Sequence, residues 1–208
     1  STDGNSWTGR GNRIFSDACQ GAAWNGKMWV AVGSGTNTIA RSTDGINWTG
    51  LGTSIFSRGG YGIAWNGTMW VAVGSGTNTI AYSYDGINWM GRGRSIFSDY
   101  GNDVAWNGTI WVAVGSSSLI NGNSIAYSSD GITWTDASGE LFPTLNGYGC
   151  VTWNGTYFIG GAFENELNRI HYSLDGITWT PSSSGNNIGK ITSALASKNV
   201  LPFTPDNL

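Results

Sequence analysis

Residues 61–89 read Tyr61-Gly-Ile-Ala-Trp65-Asn66-Gly67-Thr-Met69-Trp70-Val-Ala-Val73-Gly-Ser75-Gly-Thr-Asn78-Thr79-Ile80-Ala-Tyr82-Ser83-Tyr-Asp85-Gly86-Ile-Asn-Trp89, and the punctuation of this stretch decides the fold. An alternating, aromatic-rich run ends at Asn66-Gly67, the strongest short hairpin signal, and Met69 to Val73 returns. A Gly-Ser-Gly-Thr-Asn-Thr loop leads to Ile80–Ser83, and Asp85-Gly86 turns the chain once more toward Trp89. Four short antiparallel strands are predicted, with no helical period anywhere.

The same wording recurs along the chain. Ser-x-Asp-Gly-x-x-Trp occurs at 1–7, 42–48, 83–89, 128–134 and 173–179, at spacings of 41, 41, 45 and 45 residues. Trp-Asn-Gly recurs between these units at 24–26, 65–67, 106–108 and 153–155. A self-similar period near 40 residues, each repeat a four-stranded meander, predicts an all-β propeller of four-stranded antiparallel blades in a single domain over 1–208. Residues 24–48 and 65–89 are identical at 22 of 25 positions, differing only at Lys27/Thr68, Arg41/Tyr82 and Thr43/Tyr84. Near-identical repeats suit a multivalent binder or a scaffold better than an enzyme with one asymmetric site.

Four blades are complete, and both chain ends carry remnants. Residues 1–9 supply an Asp-Gly turn with its outer strand, and residues 190–204 contain a degenerate hairpin in which Ala196 holds the Trp position. Joining the two would close a fifth blade, so five blades are expected. Four blades with ordered tails are the alternative, and an incompletely closed ring would be open to oligomerisation where a closed one is a monomer.

The Ser-x-Asp-Gly-x-x-Trp unit resembles the Asp-box of sialidase-type (BNR) propellers, in a form one residue shorter between Asp and Gly. In that family the box lies in the turn between the third and fourth strands of a blade, the place it takes here. The resemblance implies architecture and no particular activity. Physical chemistry gives the same residues a structural reading: Asp bonds backbone amides two residues on, Gly permits positive φ and Trp pins the turn. Asp3, Asp44, Asp85, Asp130 and Asp175 are therefore read as turn formers, with Trp7, Trp48, Trp89, Trp134 and Trp179 as their anchors. The Trp- and Gly-rich Asp-Gly-Ile-Asn-Trp wording is also similar in style to repeat proteins of large DNA viruses and phages.

Composition narrows the function classes. Charged residues are 11% of the chain and the net charge is −3, so no basic stripe exists for nucleic acid. No apolar run approaches the roughly 18 residues of a membrane helix, and residues 1–9 lack a signal-peptide pattern. Cys19 and Cys150 occupy different places in their repeats, so no disulfide is expected; two free thiols agree with a reducing compartment, and a cytosolic or virion-associated setting is compatible. No cofactor or metal motif is present, and five turn aspartates on separate blades cannot converge on one ion. All 12 Trp fall at repeat positions, which makes them core first and sugar platforms second.

A hydrolase is disfavoured. Arg10, Arg92 and Arg94 hold inter-blade connections, but Leu51 and Thr53 replace them in the blade between. Glu140, Glu164 and Glu166 could pair as glycosidase carboxylates, and the single histidine, His171, reads as a strand residue. The expected function is non-enzymatic binding of glycan or protein, with a glycan-binding, lectin-like propeller ahead of a protein-interaction scaffold or viral structural component. The face opposite the Asp-Gly turns carries the variable loops around Ser116–Asn123, Ser138–Asn146 and Glu164–Asn168, and varied loops on a rigid scaffold are where binding sits. Tyr61, Tyr100 and Tyr148 before the first strands, with Asn37 and Asn78 in matching loops, are the candidate ligand contacts. The Asn-x-Thr sequons at Asn47, Asn66, Asn107 and Asn154 arise mainly because the Asn-Gly turns precede Thr.

Overall fold

The inward strand of each blade is bulged at the same place, and this sets how the blades meet. The computed structural model describes residues 13–117, 124–139, 147–162 and 170–182, with Asn5, Gly9 and Gly11. The first blade is β1 (Ala18–Trp24), β2 (Trp29–Ser34), β3 (Ile39–Ser42) and β4 (Thr49–Gly50). The second is β5 (Gly59–Trp65), β6 (Trp70–Ser75), β7 (Ile80–Ser83) and β8 (Met90–Gly91). The third is β9 (Tyr100–Trp106), β10 (Trp111–Ser116), β11 (Ile125–Ser128) and β12 (Thr135–Asp136). After β13 (Ser138–Gly139) comes the fourth: β14 (Tyr148–Trp153), β15 (Phe158–Ala162), β16 (Ile170–Ser173) and β17 (Thr178–Pro181).

Each blade is an antiparallel meander, and the architecture is the all-β propeller that the repeat predicted. One amendment is needed: β13 runs parallel to β17, Ser138 opposite Thr178, so the strand following the third blade lies along the outer edge of the fourth. The expected closing segments, residues 1–9 and 190–204, lie outside the described residues apart from Asn5 and Gly9. So do Asp3 and Trp7 and the carboxylates Glu140, Glu164 and Glu166.

The core lies between blades. In Trp70-Val-Ala-Val73 both strand faces are buried, which is why the run is apolar throughout and does not alternate with polar residues. Val71, Val73 and Tyr82 pack toward the third blade's Trp111, Ala113, Ala126 and Trp134, while Trp70, Ala72 and Ala81 pack with Val30, Val32 and Ile39 of the first. Each face thus sets bulk against small residues, and the interlayer fills. The paired aromatics that close each first hairpin, Trp65 with Trp70 and Trp106 with Trp111, tilt against each other with ring centroids 4.9 Å apart.

The first hairpin turn is longer than a two-residue Asn-Gly turn. Asn66 Oδ1 accepts the amides of Thr68 and Met69 at 2.9 and 2.8 Å, and the Asn66 amide donates to the Met69 carbonyl. Gly74, paired with Gly60 within β6, sits so close to the Gly59 carbonyl and the Phe56 ring that a Cβ would strike both.

Candidate functional site

The Asp-Gly turns are built from one acceptor. Asp85 Oδ1 takes the Ile87 and Asn88 amides at 2.8 and 2.7 Å and the Ser83 hydroxyl at 3.0 Å, while Ser83 Oγ accepts the Gly86 amide. Gly86 has φ +69°, a backbone state that disfavours a side chain. Asp44, Asp130 and Asp175 repeat the arrangement in the other blades. The Asn47 and Ile46 amides hold the Asp44 carboxyl well below the usual range, and the Asn88 and Ile87 amides do the same for Asp85. Burial pushes Asp130 and Asp175 upward, but their amide and hydroxyl donors together outweigh it and leave both low. Trp48, Trp134 and Trp179 anchor their turns by donating Nε1–H to the Gly45, Gly131 and Gly176 carbonyls at 3.1 to 3.2 Å. Trp89 departs from this pattern: its Nε1 is buried and has no hydrogen-bond partner.

On the opposite face the candidate residues separate. Counted back from the hairpin Trp, Tyr61, Tyr148 and Tyr100 stand at three different register positions, so they point three ways. Tyr61 is the bulged residue of β5, between Gly60 and Gly62, and its hydroxyl pairs with Ser75 Oγ at 2.9 Å. Tyr100 begins β9 opposite Ser75 and is 41% exposed. The two rings adjoin across the blade boundary, centroids 6.1 Å apart and tilted 49°.

Tyr148 does not join them. It is fully buried, edge-on to His171 at 5.5 Å and packed beside Trp179, and burial drives its phenol pKa far upward. A ring enclosed in this way offers no face to a ligand. Asn37 and Asn78 also leave the candidate set, because their amides are spent on the scaffold. Asn78 Nδ2 donates to the Ile55 carbonyl at 2.8 Å and its Oδ1 accepts the Gly93 amide at 2.8 Å; Asn37 does the same with Ile14 and Gly52. These side chains clamp the loop onto the connection between blades.

Asp103 was not among the residues singled out from the sequence. It occupies the place of Gly21 and Gly62 in the earlier blades, and that replacement of glycine by a carboxylate within the repeat was the available signal. Its Oδ1 accepts the Val104 amide at 2.9 Å, and its Oδ2 crosses to the Val151 amide of the fourth blade at 3.0 Å. Beside it Asn102 Nδ2 donates to the Tyr148 carbonyl at 2.8 Å. Burial raises the Asp103 pKa to about 6, and burial followed by the Asp103 charge raises the Cys150 thiol to about 11. Cys19 and Cys150 are both free.

Hollows open between elements among the described residues. A small one of about 140 Å³ lies between the end of the first blade and the second blade's Asp-Gly turn, bordered by Ile39, Leu51, Ser54, Ile87, Asn88 and Trp89. A wider cleft of about 730 Å³ runs beside β1, bordered by Arg13, Phe15, Cys19, Ala22, Ala31 and Trp48. The corresponding faces of the next three blades are covered by the blade before. Among the described residues no group of three or more His, Cys, Asp or Glu could hold a metal ion, and no helix is long and apolar enough to cross a membrane.

Comparison with known proteins supports the fold alone. No protein-family model matches the sequence, and no curated protein matches it. Among solved structures, a nidogen/laminin complex is similar with a TM-score of 0.58 at 14% identity, over 76% of this chain and 60% of that one. A GH74 enzyme from Niastella koreensis gives 0.57 at 18% identity, over 79% of this chain and 24% of its own. The GH74 xyloglucanase from Xanthomonas campestris gives 0.56 at 15%, over 76% and 28%. The chain therefore spans less than two thirds of each of these relatives.

Proposed function

We propose that this chain is a non-enzymatic binding propeller whose loop face takes glycan, with Tyr61 and Tyr100 as the platform. The observation that carries the reading is the pairing of these two rings across a blade boundary, Tyr100 open to solvent and Tyr61 held by Ser75. Sugars bind through apolar ring faces and directional hydrogen bonds, and a tyrosine pair with one tethered hydroxyl supplies both at low entropic cost. The GH74 relatives, one of them a xyloglucanase, give a polysaccharide ligand a precedent on this fold.

A protein partner is the second reading. It is favoured by the exposed apolar side chains near the Asp-Gly turns, where Ile46, Tyr84, Ile87 and Leu174 stand in solvent. A nidogen/laminin complex is among the similar folds, and a structural part in a larger assembly belongs to this reading too.

A glycan array, followed by calorimetry on each hit, tests the proposal. Saturable binding weakened about tenfold or more by Tyr100→Ala, with the fold intact, is the expected result. Silence across the array, or binding indifferent to Tyr100→Ala, overturns it in favour of a protein partner or another surface.

A further inference from the structure

Two kinds of turn share one end of each blade. Trp70 pairs with Trp65 on one side and with Ser83 on the other, which sets Asn66-Gly67 beside Asp85-Gly86, and the other described blades repeat this. In both kinds the side-chain Oδ1 accepts the amides of the second and third residues on. They differ at the glycine nitrogen. In the Asp-Gly turns it is tied: Gly45, Gly86, Gly131 and Gly176 each donate to the Oγ of the serine three residues before, at 2.8 to 2.9 Å. In the Asn-Gly turns the amides of Gly26, Gly67, Gly108 and Gly155 have no acceptor among the described residues.

A free amide nitrogen that follows asparagine is a nucleophile held beside the carbonyl carbon of that side chain, and a reaction within one chain gains from such proximity. The Asn66 oxygen already receives the Thr68 and Met69 amides at 2.9 and 2.8 Å, and Asn25, Asn107 and Asn154 receive the matching pairs at 2.7 to 2.9 Å. Donors in that place stabilise the negative charge the oxygen takes up when its carbon is attacked. Space is open as well: all four glycines are exposed, and a Cβ on any of them would meet nothing within 4 Å. The Asp-Gly turns lack the nucleophile, and the Asp44 and Asp85 carboxyls are held ionised by their amides, a form that resists attack.

From this we infer that the Asn-Gly turns at Asn25, Asn66, Asn107 and Asn154 are sites of spontaneous deamidation, and that the serine tether withholds the same reaction from the Asp-Gly turns. The glycine nitrogen gives its proton to hydroxide and bonds to the asparagine Cγ. The oxyanion on Oδ1 then collapses and expels Nδ2 as ammonia, which takes its last proton from water, and a succinimide is left. Water opens that ring at either carbonyl to give aspartate or isoaspartate, so water is the only co-reactant. Each event lowers the net charge of −3 by one, at the end of the blade that already carries the turn aspartates. Isoaspartate also brings the side-chain methylene into the main chain and lengthens the hairpin turn.

The test incubates the full chain and its Asp85→Asn variant at mildly alkaline pH, folded and in denaturing urea, and follows each turn by peptide mapping with isoaspartate detection. Asp85→Asn creates an Asn-Gly pair whose glycine nitrogen stays on Ser83 Oγ, so tether and sequence are separated within one molecule. In the folded chain the four Asn-Gly turns should convert, while position 85 of the variant converts about tenfold more slowly than Asn66. In urea, where no tether survives, the two should agree within about threefold. Conversion of position 85 as fast as Asn66 in the folded variant, or the same ratio between them in urea, overturns the inference, because sequence alone then governs the rate. Conversion of the four turns in urea only overturns it as well.

Discussion

The Asp103 carboxylate and the Val151 amide join the inner strands of the third and fourth blades at 3.0 Å, a link that the glycines in the same place of the first two blades cannot make. The link is a charged group held in a half-buried position with no cationic partner beside it among the described residues, and this makes stability depend on pH.

Burial lifts the Asp103 pKa from 3.8 to about 6, so the folded chain holds this proton more tightly than the unfolded one. Stability from this group is therefore fully present below about pH 4 and declines as pH rises to about 6, by on the order of 2–3 kcal/mol. The turn aspartates work the other way: their lowered values stabilise the fold above about pH 4 and that contribution is lost on further acidification. Urea midpoints measured from pH 3 to 8 should peak at about pH 4–5. In Asp103→Asn the decline between about pH 4 and 6 should vanish; its persistence would assign the effect elsewhere.

Asp130→Ala removes the acceptor for the Ile132 and Thr133 amides and for Ser128 Oγ. The freed amides are open to water, so the cost should match a lost helix cap, about 1–2 kcal/mol, read as a lower urea midpoint at unchanged slope. Added calcium should not shift the midpoint of the parent chain, because the carboxylate is occupied by backbone donors.

Two glycines should respond to alanine for different reasons. At Gly74 the new Cβ meets the Gly59 carbonyl and the Phe56 ring, backbone and core that cannot step aside, and about 2–4 kcal/mol should be lost. At Gly67 nothing lies within 4 Å but φ is +102°, so only backbone strain of about 1–2 kcal/mol is expected. Equal losses at the two positions would contradict this division.

Asn78→Ala separates scaffold from ligand contact. It strands the Gly93 amide and the Ile55 carbonyl, which should cost about 1–3 kcal/mol by chemical denaturation. Glycan affinity of the folded protein should stay within about twofold of the parent; a loss of about tenfold would return Asn78 to the binding site.

The blades were legible in the sequence because each strand boundary is marked by chemistry that acts locally: Asn66 accepts amides two and three residues on, and Asp85 does likewise. Candidate ligand contacts were harder to read, since their roles depend on what faces them across a blade boundary. Asn78 looks like a free polar loop residue until Ile55, 23 positions away, is brought to its amide. Tyr61, Tyr100 and Tyr148 all lie at the start of a blade, but they stand four, six and five residues before the hairpin Trp, and a shift of one or two residues in a strand reverses or displaces a side chain, so Tyr148 goes inward. The parallel pairing of β13 with β17 follows no local rule and left no mark in the repeat.

The 22 of 25 identities between residues 24–48 and 65–89 have a kinetic consequence. A folding chain must tell its first blade from its second, and either can dock where the other belongs, within one chain or between two. Of the three differences, Lys27/Thr68 and Thr43/Tyr84 lie outside the contact layers, whereas Tyr82 is buried against the third blade. Arg41 and Tyr82 thus act as an address label on the inward-facing sheet. Arg41→Tyr, which makes the two labels alike, should slow refolding and increase concentration-dependent misassembly, the characteristic failure of tandem repeats whose members are too alike.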